Sequence, residues 1–126
     1  MKNFLLLILT AIVFSGCGSQ DQQKKQELKH EIYKLELHKK QLLEQKSGLK
    51  EQLEKAGIDY ERVVKKQNAT DADRRIAQER LVTNIHQIKS REMKLEKQLI
   101  ETELKIQKLE LESAKLERKS KSGTDG

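Results

Sequence analysis

The sequence predicts an all-α fold, an elongated coiled coil, and three observations point to it. Charged residues make up 37% of the 126-residue chain and aromatic residues 3%, with no tryptophan and no proline. After the first apolar segment, the chain is dominated by Ala, Glu, Lys, Leu and Arg, which is typical of coiled coils. Apolar residues recur there at alternating spacings of three and four, as heptad a and d positions require. The small share of bulky apolar residues argues against a layered globular core and an ordinary enzyme fold.

Two heptad runs form the predicted seam, the line of a and d residues along which coiled-coil helices pack. With a leucine at d in each run, the clearest seam residues are Leu28, Ile32, Leu35, Leu42, Leu49 and Leu53, followed by Leu81, Ile85, Ile88, Leu95, Leu99, Ile106, Leu109 and Leu116. Polar residues interrupt both runs, at Lys39, Lys46, Glu92, Thr102 and Ser113. Because a lysine at an a position lowers coiled-coil stability, we expect a modestly stable coil.

The two runs are out of phase, and this leaves two alternatives open. Continuing the first register would put Leu81 at a, whereas the second run puts it at d. Either a turn near 67–73 folds the chain into an antiparallel two-helix hairpin, or a register skip lies within one long kinked helix. The predicted segments are helix 1 over 24–66, the turn or skip over 67–73, and helix 2 over 74–119. Gly57 is a second candidate break.

Charges around the predicted turn favour two separate helices. Lys65 and Lys66 close the first run, and Asp73 lies where the first turn of the second helix would be. This order complements two helix dipoles. Thr70 or Asp71 is the predicted N-cap. However, no glycine or proline marks the turn, and every residue there can be helical.

The first segment has the proportions of an export signal. Lys2 precedes an apolar run over 4–14, which is shorter than the ~20 residues that a spanning helix needs. The run Phe14-Ser15-Gly16-Cys17 then resembles the lipobox of bacterial lipoproteins. This resemblance implies a signal peptide over 1–16, cleavage before Cys17, and a covalent lipid on the Cys17 thiol. We expect no cofactor besides this lipid. Because Cys17 is the only cysteine, it cannot form an internal disulfide.

The resemblance also implies a location in the cell envelope. Asp after the lipidated cysteine tends to retain lipoproteins in the inner membrane, and this chain has Gly18 and Ser19 there. We therefore expect the outer membrane, on its periplasmic side, in a two-membrane cell. In a one-membrane cell we expect the outer face of the plasma membrane. Residues 17–23 are predicted to form the lipidated cysteine and a polar tether, and residues 120–126 a disordered tail.

The sequence contains no catalytic or metal-binding constellation. His30, His38 and His86 fall outside the seams, with no convergent ligands at metal-site spacing. No Gly-rich phosphate loop is present. Charges alternate in sign and aromatics for base stacking are missing, so we expect neither nucleic acid nor a small-molecule substrate as partner.

Two further features indicate partners. A stripe of Met93, Ile100, Leu104 and Leu111 lies away from the main seam. It is either a set of tolerated surface residues on an exposed helix or a second contact face for self-association or a helical protein partner. Basic residues gather near the C-terminus: Lys115, Arg118, Lys119 and Lys121. They either complement the dipole of the second helix or, in a hairpin, return to the anchoring membrane and bind its anionic head groups. We expect a non-enzymatic scaffold, spacer or docking protein of the cell envelope. The alternative is a chaperone-like or exclusion factor that grips clients through its coil.

Overall fold

The computed structural model describes residues 20–123, and within that range the chain is helical apart from one short connection and its last residue. Helix α1 is Gln20–Val64 and helix α2 is Asp71–Ser122. No strand occurs among these residues. The two helices pack against each other, so the predicted all-α class is confirmed and the chain is an antiparallel hairpin.

Two ion pairs between the helices define their direction. Lys39 Nζ lies 2.9 Å from Glu103 Oε1, and Lys46 Nζ lies 2.9 Å from Glu96 Oε1. The second pair is one heptad further along α1 and one heptad further back along α2. Only antiparallel helices in a constant register produce this pattern.

Thr70 and Asp73 explain how a turn forms without glycine or proline. Asp73 N donates to Thr70 Oγ1 at 3.1 Å, and Thr70 N donates to Asp73 Oδ2 at 3.0 Å. These reciprocal bonds form a capping box, which satisfies two backbone donors at the start of α2. The Thr70 hydroxyl also donates to Asp73 Oδ2, at 2.8 Å. Before the cap, Ala69 N donates to Lys66 O at 3.1 Å, which closes the turn.

The observed helix boundaries correct several predicted ones. Residues 20–23 belong to α1 and not to a tether, because glutamines are good helix formers and Asp21 lies in the favourable first turn. The connection is 65–70, not 67–73, because the Thr70 cap lets α2 begin at once. Helix α2 also continues to Ser122, so residues 120–122 are helical, with Lys119 and Lys121 in the last turn.

Both glycines of α1 lie inside the helix. Gly57 does not break it, and a Cβ atom added at Gly48 or Gly57 would meet nothing within 4 Å. Neither glycine is therefore required by close packing. Residues 1–19 and 124–126, which include the predicted signal peptide and Cys17, lie outside the described residues.

The described chain divides into two compact units. The terminal unit consists of residues 20–36 and 105–123, so it contains the start of α1 and the end of α2. The turn unit is Leu37–Leu104.

Candidate functional site

Most of the predicted seam lies at low exposure, with the deepest residues spread over both units. In the terminal unit, Leu28 and Ile106 are buried, and four others are half-buried: Ile32, Leu35, Leu109 and Leu116. In the turn unit the buried seam residues are Leu42, Leu49 and Ile88, and the half-buried ones are Leu81, Ile85, Leu95 and Leu99. Heptad spacing therefore identifies the side of each helix that faces the other.

Leu53 is the exception, since 40% of it is exposed. Leu53 is therefore less enclosed than the other predicted seam residues. The residues one turn further along α1 are Ala56 and Gly57, which have little bulk to cover a leucine. Periodicity indicated the direction of Leu53 but not how well its neighbours would enclose it.

The lysines that interrupt the first run are paired across the hairpin. Lys39 and Lys46 are half-buried at a positions, and each extends its ammonium to a glutamate at an e position of α2. The aliphatic stems can lie along the seam while the charged ends stay near water. The hydrogen bond to Glu96, together with its charge, raises the pKa of Lys46 above the usual lysine value. The two lysines that interrupt the apolar seam therefore form ion pairs that fit one register of the two helices.

Thr102 is a second polar seam residue, and only 5% of it is exposed. Its hydroxyl donates to the carbonyl oxygen of Gln98 at 2.7 Å, within its own helix. No buried side-chain nitrogen or oxygen among residues 20–123 lacks a hydrogen-bond partner. The Thr102 hydroxyl therefore has a structural partner and needs no ligand.

Large apolar side chains are more often exposed than buried in the described chain. Six apolar residues are buried, and none of the described side chains is completely enclosed. Eleven large apolar residues are exposed: Tyr33, Leu37, Leu43, Leu53, Ile58, Ile76, Val82, Met93, Ile100, Leu104 and Leu111. Single exposed apolar residues are common on protein surfaces, and a set of them along a two-helix chain is a candidate interaction surface.

The predicted apolar stripe is among these exposed residues. In the turn unit, Met93, Ile100 and Leu104 are exposed, with Met93 at 70%. In the terminal unit, Leu111 is exposed as well. Four exposed apolar residues of α1 were not singled out from the sequence: Tyr33, Leu37, Leu43 and Ile58. Their signal was available, since they occupy heptad positions outside a and d.

The turn unit also contains a cleft beside the connection. Its apolar lining includes Tyr60, Val63 and Leu81, with Asp73 and Arg80 among its charged residues. Hydrogen bonds from the Thr70 backbone N–H and hydroxyl lower the pKa of Asp73, with a smaller effect of Lys66. Asp73 is therefore an ionised cap and a poor candidate for a general base.

The three histidines are all exposed: His30, His38 and His86. Across residues 20–123, no group of three or more His, Cys, Asp or Glu side chains is placed to hold a metal ion. None of the described helices contains a stretch long and apolar enough to cross a bilayer.

Basic side chains from both ends of the described chain meet in the terminal unit. Lys24 lines a cleft with Lys115, Arg118 and Lys119. Lys25 Nζ donates to Ser120 Oγ at 3.3 Å, which ties the start of α1 to the end of α2. We call Lys24, Lys25, Lys115, Arg118 and Lys119 the cationic cluster.

Comparison with known proteins adds no family to this picture. No protein-family model, no curated protein and no solved structure matches the chain. The candidate functional features are therefore the seam, the exposed apolar residues and the cationic cluster.

Proposed function

We propose that the chain is a lipid-anchored coiled-coil hairpin of the bacterial cell envelope that acts as a structural or docking protein. It would serve as a scaffold or spacer and not as an enzyme. The observation that carries this proposal is a two-helix hairpin that leaves more large apolar side chains exposed than buried. Such a molecule gains stability when other helices cover its surface.

The anchor is assigned from the sequence. The run Phe14-Ser15-Gly16-Cys17 after a short apolar segment supports lipidation of Cys17. Gly18 and Ser19 support export to the outer membrane where a cell has two membranes. Several acyl chains at one cysteine would hold the protein firmly, since each buried CH₂ contributes about 0.8 kcal/mol.

The docking role follows from the exposed apolar residues. In the turn unit, Met93, Ile100 and Leu104 fall on one side of α2 at helical spacing. Such a row fits a second helix, from another copy of this chain or from a helical protein.

Fatty-acid labelling tests the anchor. Cells that express the full chain are grown with a radiolabelled fatty acid, and the protein is isolated and counted. We expect a labelled, processed protein, and we expect Cys17→Ser to abolish the label. Ser19→Ala is the matched control, because it changes a neighbouring small residue without removing the thiol. Label that persists in Cys17→Ser would contradict the proposal.

The exposed apolar residues also favour one alternative, a chaperone-like or exclusion factor that grips clients. These residues lie on both helices and on several sides, which suits transient binding of varied chains. Light scattering of an aggregating exported protein separates the two roles. A client-binding coil should suppress scattering, and the triple change Met93→Gln, Ile100→Gln and Leu104→Gln should weaken the suppression. A scaffold should have no effect on scattering.

A further inference from the structure

The cationic cluster is assembled by the fold, because its members are about 90 residues apart in sequence. Lys24 and Lys25 come from the first turns of α1, whereas Lys115, Arg118 and Lys119 come from the last turns of α2. A shared cleft and the bond from Lys25 to Ser120 bring the two groups together. All of them lie in the terminal unit.

Within residues 20–123, these charges differ from the seam lysines in forming no ion pair with an acidic side chain. Lys39 and Lys46 of the turn unit each meet a glutamate across the hairpin. In the described part of the chain, no ion pair engages Lys24, Lys115, Arg118 or Lys119. Glu112 lines the same cleft, and none of the ion pairs among the described residues includes it. Exposed cations that line one cleft without an ion pair raise the local positive potential and favour an anionic ligand.

The length of the intervening chain limits how far the cluster can lie from the predicted lipid attachment site. Gln20 begins α1 and follows Cys17 by three residues. At no more than about 3.6 Å per residue, three residues hold Gln20 within roughly 11 Å of Cys17 in any conformation. Lys24 is one helical turn further on, about 6 Å along the helix. The two lengths add to an upper limit of about 17 Å between Cys17 and Lys24, roughly twice the Debye length of about 8 Å at physiological salt. Lys24 therefore responds to the charge of a membrane that holds Cys17 when the intervening residues are less than fully extended.

We propose that the cationic cluster binds the anionic head groups of the membrane that holds Cys17, as a second, electrostatic attachment. This inference rests on the proposed lipid anchor and adds a named surface and ligand class to it. The end of α2 then lies on the same membrane as the start of α1, and the terminal unit is held against the surface. Nucleic acid fits the cluster less well, because no aromatic side chain lines its cleft for base stacking.

Fatty-acyl chains and basic residues contribute differently to membrane binding in this arrangement. Acyl chains supply affinity for any bilayer, whereas basic residues respond to lipid charge. Each basic residue near an anionic surface strengthens attachment about fivefold. Changing Lys115, Arg118 and Lys119 should therefore weaken the surface contact by on the order of 100-fold, while the acyl anchor still holds the protein on the vesicle.

The experiment measures how close the end of α2 lies to lipid head groups. The lipid-modified full chain carries a fluorophore at Ala114→Cys, an exposed position beside the cluster. It is reconstituted into vesicles of phosphatidylcholine alone or with about a third phosphatidylglycerol, and a head-group quencher reports contact. We expect strong quenching only with phosphatidylglycerol, and we expect salt or the triple change Lys115→Gln, Arg118→Gln and Lys119→Gln to remove it.

The matched control makes the same charge change in the turn unit, as Lys50→Gln, Lys55→Gln and Lys89→Gln. This variant should be quenched like the unchanged protein. Equal quenching in the two vesicle types, or equal loss in both triple variants, would overturn the proposal. Retention of a single-stranded oligonucleotide by the cluster, with no response to phosphatidylglycerol, would also overturn it.

Failure of the lipid anchor would be distinguishable from failure of the cluster. Fatty-acid labelling of the same preparation tests Cys17 directly. If the label were absent, flotation of the full chain with the two vesicle types would still test the cluster. The readout is the fraction of protein bound to anionic vesicles divided by the fraction bound to neutral vesicles. A ratio that the Lys115, Arg118 and Lys119 changes do not lower would contradict the assignment.

Discussion

Replacing Leu42 by alanine should destabilise the hairpin more than the same replacement at its neighbour, Leu43. Leu42 is 3% exposed, whereas Leu43 is 49% exposed. Leu→Ala removes three carbons, and at about 0.8 kcal/mol per buried carbon the loss at Leu42 is about 2.4 kcal/mol before any cavity term. At Leu43 about half of that burial is present, so the loss is about 1 kcal/mol.

Urea unfolding followed by circular dichroism at the helical band measures both changes. The two variants share the residue exchanged and nearly the same change in helix propensity, so the difference between them reports burial alone. We expect the Leu42→Ala midpoint to fall clearly below that of Leu43→Ala, with similar m values. Equal shifts would refute the hairpin packing described here. A loss at Leu43 that grows with protein concentration would instead show that a second copy covers it.

Three other predictions concern the cap and the helix interior. Thr70→Ala should lower the free energy of unfolding by about 1 kcal/mol, while Thr70→Ser retains the cap, and urea midpoints would show this. Because the folded-state pKa of Asp73 is lowered, its contribution to stability is complete above the usual value of 3.8 and is lost as pH falls through the folded pKa. The urea midpoint of the unchanged protein should therefore fall at acidic pH. Asp73→Asn should abolish this fall, whereas Asp71→Asn should leave it unchanged. Gly48→Ala and Gly57→Ala should each stabilise α1 by about 0.5–1 kcal/mol, seen as a higher Tm, because the added methyl group meets nothing within 4 Å.

The fold class was predictable because heptad spacing is a local pattern. Leu42, Leu49 and Ile88 recur with the period of a helix, and their burial follows from that period. The choice between hairpin and continuous helix was not predictable in the same way. Every residue of the turn can be helical, and the decision depends on a capping box at Thr70 and on packing between distant segments.

The candidate site was predictable only in part, because it depends on which distant residues meet. The basic C-terminal residues and the exposed stripe could be named from the sequence. The pairing of Lys46 with Glu96, and the meeting of Lys24 with Lys119, need the register of the hairpin. For Leu53, the heptad pattern indicated the side of the helix on which it lies. The pattern could not indicate how much of its side chain the neighbouring residues would enclose.

In the hairpin, the two helices fold back on each other within one chain, and a distance between two spin labels tests this directly. Gln45 and Gln98 line one cleft of the turn unit from opposite helices, so each is changed to cysteine and labelled, with Cys17→Ser to leave two sites. Two packed helices hold the labels roughly 20 Å apart, whereas a continuous helix of that length separates them by about 80 Å.

Dilution with unlabelled protein completes the measurement, because an antiparallel pair of long helices could bring labels together between chains. We predict a short distance that persists when labelled chains are greatly diluted. A long distance, or a short one that disappears on dilution, would contradict the hairpin and with it the meeting of both chain ends in the cationic cluster.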